Sequence, residues 1–124
     1  MQLTPDTHRE PNLVAGYAEG ELRLRSRVLS SSAIITASDI VPWPVASVER
    51  LAPGDFEPVF ALGVEIVLLA TGARLRWPPP LVHAHLAGRG VGLEVMDLGA
   101  ACRTFNLLVG DGRPVALAAV LGAR

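Results

Sequence analysis

Residues Gly90–Leu108 read GVGLEVMDLGAACRTFNLL, and the fold turns on how this stretch is divided. Val91 to Met96 is a short apolar run with strand composition. Asp97 breaks it with a polar turn, and Gly99, Ala100 and Ala101 follow where that turn is tightest. Beyond it, Leu98, Ala101, Cys102, Phe105, Leu108 and Val109 recur at helical spacing and make one coherent apolar face. A rival reading makes Thr104 to Val109 a strand that hairpins through Asp111-Gly112. The helix is preferred, because Ala and Cys at this spacing bury better on a helix.

Working back from that stretch, Val64 to Ala70 is a nearly continuous apolar run between glycines, as in a central strand covered on both faces. Thr71-Gly72-Ala73 turns the chain. Pro78 to Pro80 opens a helix through Ala87, which Gly88 to Gly90 ends. Val64 to Met96 is therefore a β-α-β unit, expected to be parallel. Forward of it, Pro114 to Val120 is a last strand whose direction the sequence leaves open. Upstream, Val14 to Ala18 and the alternating Glu21 to Arg25 read as strands joined by a turn at Glu19-Gly20, an early hairpin that suggests a mixed sheet. Ala33 to Thr36 is another short strand. Val41-Pro42-Trp43-Pro44-Val45 cannot donate a continuous ladder, which assigns it to an edge or to irregular extended chain. Pro53 to Leu62 suggests a short helix limited by Pro58. The expected class is α/β: one compact three-layer domain over residues 13–124, with a mixed, partly parallel sheet, preceded by a flexible arm over residues 1–12.

Composition removes several chemistries. The chain has 124 residues, half of them hydrophobic, with a formal charge of −1 and 11 basic residues, all arginine. Without lysine there is no Schiff base, no lysine general base and no Walker-type phosphate loop. One cysteine excludes an internal disulfide and a Cys-based zinc site. No apolar run approaches the roughly 20 residues needed to span a bilayer. The first residues, MQLTPDTHREP, have neither the secretory nor the transit pattern, so a cytoplasmic location is expected. The mean hydropathy of +0.38 signals a densely buried sheet, a partner interface, or both.

Few side chains carry obvious chemistry. Cys102, at a helix start beside Arg103, could be an activated thiol; its register with Leu98 and Phe105 favours a core residue. His83 and His85 are two apart on a helix and cannot chelate one ion, so no metal and no cofactor are expected. Arg23, Arg25 and Arg27 form a weak basic stripe, read as the solvated face of an edge strand rather than a nucleic-acid or lipid site. The most suggestive constellation is positional. In a parallel unit Thr71-Gly72 and Asp97-Gly99 follow the carboxyl ends of their strands and share one sheet edge, where open α/β sheets bind ligands. Arg74, Arg103 and Asn106 could line that crevice. In the competing structural reading, Asp97 caps the helix, Arg103 pairs with it or with another acid, and Asn106 satisfies backbone. A helix with Leu107 opposite Leu98 and Phe105 is apolar on two sides. That makes Leu107, or a surface at Trp43 and Trp77, a candidate contact with a partner protein or a second copy.

Gly16-Tyr17 to Leu24, Trp43-Pro44, Ala70-Thr71-Gly72-Ala73 with Pro78-Pro79, Gly92 to Asp97, Ala100-Ala101-Cys102-Arg103-Thr104-Phe105-Asn106 and Gly112 to Ala116 together resemble the domain-of-unknown-function family that includes mitochondrial complex I assembly factor three. Leu98 departs from the threonine many relatives carry there. The resemblance implies a three-layer α/β domain in an uncharacterised bacterial protein. It implies a non-enzymatic interaction or assembly role linked to respiratory complex I, with any membrane association made through a partner complex. The alternative is a small-molecule or anion binder, or an enzyme, using the crevice.

Overall fold

The computed structural model describes residues 10–122. Five strands make the central sheet: β4 (Ala33–Ile35), β5 (Ile40–Pro42), β6 (Ile66–Ala70), β7 (Gly92–Met96) and β8 (Val115–Ala119), in the order β5-β4-β8-β6-β7. β6 is parallel to both β7 and β8, whereas β4 runs antiparallel to β5 and β8. The sheet is thus mixed and partly parallel, and the open direction of the last strand is parallel to β6.

Alternation along these strands makes two cores. Val67, Leu69, Ala116 and Ala118 face one side, with Phe56, Val59, Val82 and Leu86 packed on them. Leu68, Ala70, Leu117 and Ala119 face the other, under Leu98, Ala101, Cys102 and Phe105. The first side carries 3-10 turns at Val48–Arg50 and Pro53–Phe56, the single-turn helix α1 (Glu57–Phe60) and α2 (Pro80–Gly88). The second carries α3 (Leu98–Gly110), so the helical reading of 104–109 holds. The chain steps from β6 outward to β7 and back past β6 to β8. Crossovers of one hand that step in opposite directions lie on opposite faces, which accounts for α2 and α3 sandwiching the sheet.

The N-terminal hairpin departs from expectation. β1 (Val14–Ala18), β2 (Glu21–Leu24) and β3 (Val28–Leu29) form a separate three-stranded sheet. Mixed strand direction in the main sheet comes from β4 instead. The hairpin stays apart because Leu22 and Leu24, its inward residues, join Phe105 in the α3-side core. β2 stops at Leu24, whose N–H donates to the Arg27 carbonyl at 2.9 Å. Arg25 and Arg27 therefore lie in the turn, Arg25 pairs with Glu10, and no strand-borne arginine stripe exists. The expected helix at Pro53 to Leu62 splits between Phe56 and Glu57 into a 3-10 turn and α1, with Pro58 in the first turn of α1. Most of the expected arm lies outside the described residues. Asn12, within it, donates through Nδ2 to the Thr36 carbonyl at 2.9 Å.

Candidate functional site

The carboxyl ends of β6 and β7 meet where their following helices diverge to opposite faces, the switch point at which α/β sheets take ligands. Much of this edge is closed by the chain itself. Thr71 N–H donates to the Met96 carbonyl at 2.9 Å, and Leu98 N–H to the Gly72 carbonyl at 2.8 Å. Asp97 caps α3, its Oδ1 accepting from Ala100 N–H at 2.9 Å, while its carbonyl accepts from Ala101 N–H at 3.0 Å. Two of the four amides that a helix start would offer an anion, those of Leu98 and Ala100, are thereby spent. A carboxylate stands among them as well.

The expected crevice is divided by its own loop. Gly72, Ala73 and Glu19 line both of two neighbouring cavities. One, about 280 Å³, takes in Thr71 and Arg74 together with Ser47, Glu49 and Arg76. The other, about 350 Å³, takes in Asp97, Gly99 and Arg103 with Tyr17 and Glu19. Thr71 is 5% exposed, and its hydroxyl shapes the loop: Oγ1 lies 2.7 Å from the Arg74 carbonyl and accepts from Arg76 N–H at 3.1 Å. Gly72 has φ +103°, which its lack of a Cβ permits. Glu49 pairs with Arg76 at 3.3 Å. Its carboxyl sits below the ordinary value, chiefly through a hydrogen bond from its own backbone amide, with Arg76 and Ser47 adding to the effect.

Arg103 does not pair with an acid among the described residues; its Nη1 donates to Tyr17 Oη at 3.3 Å. Gly99 allows that approach, since a Cβ there would stand 2.6 Å from the same oxygen. Asn106 lines neither cavity. It clamps β1, accepting from Val14 N–H at 2.8 Å and donating to the Val14 carbonyl at 2.9 Å, the pattern a neighbouring strand would offer. Cys102 is 2% exposed. Burial pushes its thiol up to about 12, against a weaker downward pull from Arg103, so it is no ready nucleophile. His83 and His85 lie on α2, and His85 contacts Glu57 at 3.2 Å. Among the described residues no group of three His, Cys, Asp or Glu side chains could hold a metal ion.

The proposed contact residues separate. Trp43 is 3% exposed, donates from Nε1 to the Asp55 carbonyl at 2.7 Å and packs edge-on against Phe56. It belongs to the core, which corrects its assignment to a surface. Trp77 and Leu107 are each 65% exposed. Trp77 lines a third cavity, an apolar groove of about 520 Å³ between α2 and β7. Sequence reasoning did not find that groove or Tyr17, Glu19, Glu49 and Arg76 in the cavities. The groove's one sequence signal was the Trp77-Pro78-Pro79-Pro80 run.

Residues 14–120 match the model of a family described as a protein of unknown function (DUF498/DUF598). The bovine NADH dehydrogenase [ubiquinone] 1 alpha subcomplex assembly factor 3 is 34% identical over 90 residues, 71% of this chain and 48% of that protein. The chain thus spans about half the length of that assembly factor. A Francisella tularensis protein named 13 kDa major membrane protein is 24% identical over 93% of this chain and 95% of its own. A Xanthomonas campestris protein solved by NMR superposes with a TM-score of 0.86 at 34% identity, covering 98% of this chain and 93% of that one. No helix among the described residues is long and apolar enough to cross a membrane.

Proposed function

The chain belongs to the DUF498/DUF598 family of proteins of unknown function, and from that membership we propose that it is a non-enzymatic interaction module serving the assembly of a membrane-associated respiratory complex. The observation that carries this reading is its likeness to the assembly factors over most of its length. The site chemistry is consistent with it. Thr71, Asp97 and Asn106 spend their polar atoms on backbone, and Cys102 is buried. The protein works in the cytoplasm and reaches the membrane through its partner. To test this, the tagged full-length chain is crosslinked in its native host and purified, and subunits of the respiratory NADH dehydrogenase are quantified by mass spectrometry. A deletion strain is assayed in parallel for the assembled enzyme. Enrichment of those subunits with loss of assembled enzyme is expected. Wild-type assembly in the deletion strain, with no enrichment, overturns the reading.

A second reading has its own support in the smaller cavity. Among the described residues Arg74 makes no ion pair, and the N–H groups of Gly72, Ala73 and Arg74 have no acceptor. Unpaired amides and a guanidinium on this lining suit a small anion, against the opposing charge of Glu19 and Glu49 on the same wall. Calorimetric titration with inorganic phosphate and acetate, against Arg74→Ala, decides it: no heat with wild type removes this alternative.

A further inference from the structure

The two edges of the central sheet are finished differently. At β5, Pro42 supplies no N–H to the outside and Trp43-Pro44 follows it, so that edge is blunted. At β7, Gly92 N–H donates to the Glu65 carbonyl and the Met96 carbonyl accepts from Thr71 N–H, each at 2.9 Å. With the parallel register of Ile66 on Gly92 through Ala70 on Met96, this turns the polar groups of Gly92, Glu94 and Met96 toward β6. The N–H and C=O groups of Leu93 and Val95 then face outward, and among the described residues nothing pairs with them. Beside this open ladder runs the apolar groove, with Trp77, Pro78, Pro80, His83, Leu93 and Val95 on its walls. Glu94 points to the opposite face, exposed and without an ion-pair partner among the described residues.

We propose that β7 and the groove beside it receive an extended segment of a partner protein as an added strand, with an apolar–basic–apolar pattern. The backbone of the segment satisfies Leu93 and Val95. Its two apolar side chains fall on the groove side, against Trp77 and the prolines. Its central residue stands directly across from Glu94, in the pair where antiparallel side chains approach most closely, and a cation there complements the carboxylate. The same charge argues against a second copy. A two-fold pairing of β7 centred on Glu94 would set the two glutamates against each other.

This inference rests on the interaction-module reading and gives it an address. The probes are the capped peptide Ser-Thr-Val-Lys-Val-Thr-Ser and its central-Glu counterpart, titrated by NMR into the full-length chain. The Lys peptide is expected to shift the Leu93 and Val95 amides and the Trp77 indole, and to bind roughly threefold to tenfold more tightly than the Glu peptide. Glu94→Lys should invert that order. Val95→Pro removes an outward N–H and trims one side chain of the groove wall but leaves the β6 ladder intact, so it should keep the fold and lose the peptide. Equal binding of both peptides, binding unaffected by Val95→Pro, or shifts confined to another surface each overturn the proposal. So does wild-type dimerisation that Val95→Pro abolishes, since a second copy would then occupy the edge. If the wild type and Val95→Pro capture the respiratory subunits equally well, this address is wrong while the module reading stands. If the wild type captures none, the module reading fails by itself.

Discussion

The two faces of the central sheet are covered in different ways. On the α3 side the helix is flanked by the small hairpin sheet, whose Leu22 and Leu24 reach the core, while Leu107 on its outer side stays exposed. Asn106 stitches that sheet to the helix through both polar groups of Val14. Polar side chains near α3 are consumed in holding one layer to the next. On the α2 side the cover is made of 3-10 turns, one helical turn and a nine-residue helix. Short pieces leave gaps, and the gap beside β7 is the apolar groove with an exposed tryptophan. The α3 face spends its polar residues on joining layers and exposes only isolated apolar side chains such as Leu107, whereas the face covered in fragments keeps a continuous apolar groove.

The largest expected effects treat the two faces alike. Phe105 and Phe56 are each fully buried, one on each side. Phe105→Ala and Phe56→Ala should each cost about 3–5 kcal/mol in urea unfolding. A loss under about 1 kcal/mol for Phe56→Ala alone would mean that the fragmented face is not a true core.

Next comes the stitch on the α3 side. Asn106→Leu leaves the partly buried N–H and C=O of Val14 unpaired, at a cost of about 1–3 kcal/mol. Amide exchange at Val14 and Tyr17 should accelerate more than at Val82 on the other face. Uniform acceleration would dissolve the distinction between the faces.

Cys102 sharpens it through pH. Its folded pKa, about 12, lies above the ordinary thiol value of about 8.5. The protonated form is therefore favoured by folding. That stability is fully present below about pH 8.5 and is lost as pH rises toward about 12. Cys102→Ala should flatten this alkaline loss relative to wild type, and thiol labelling at neutral pH should require unfolding. Fast native-state labelling would place the thiol outside the α3 core.

The smallest effects belong to the surface. Arg103→Ala removes one exposed bond to Tyr17, and Trp77→Ser one exposed ring. Each should change stability by no more than about 0.5 kcal/mol. A loss above about 2 kcal/mol for Trp77→Ser would mean that the groove is part of the folded core and not a free surface.

Much of the architecture was readable because local signals agreed with it. The glycine-bounded run before Thr71, the proline start of α2 and the apolar spacing after Asp97 each name an element by period and punctuation. Asp97 as a cap and Cys102 as a core residue follow from chemistry that acts within one turn of helix. The hairpin was harder, since alternation marks a strand and says nothing of which sheet it joins.

The sequence by itself determined the class, the β-α-β unit and the apolar surplus, because these depend on side-chain periodicity and backbone restriction within short windows. Only the tertiary structure decided where polar atoms are spent. Asn106 meets Val14 across 92 residues, and Ser32 Oγ accepts from Leu121 N–H at 2.8 Å across 89. Whether Trp43 or Trp77 is the exposed ring was likewise decided there. Both sit beside prolines in similar extended sequence. Trp43 found Phe56 and a carbonyl to bond, while Trp77 stays 65% exposed at the rim of the groove, with no indole hydrogen bond among the described residues. Such outcomes depend on which distant backbone groups need partners, and short-range pattern carries no record of that.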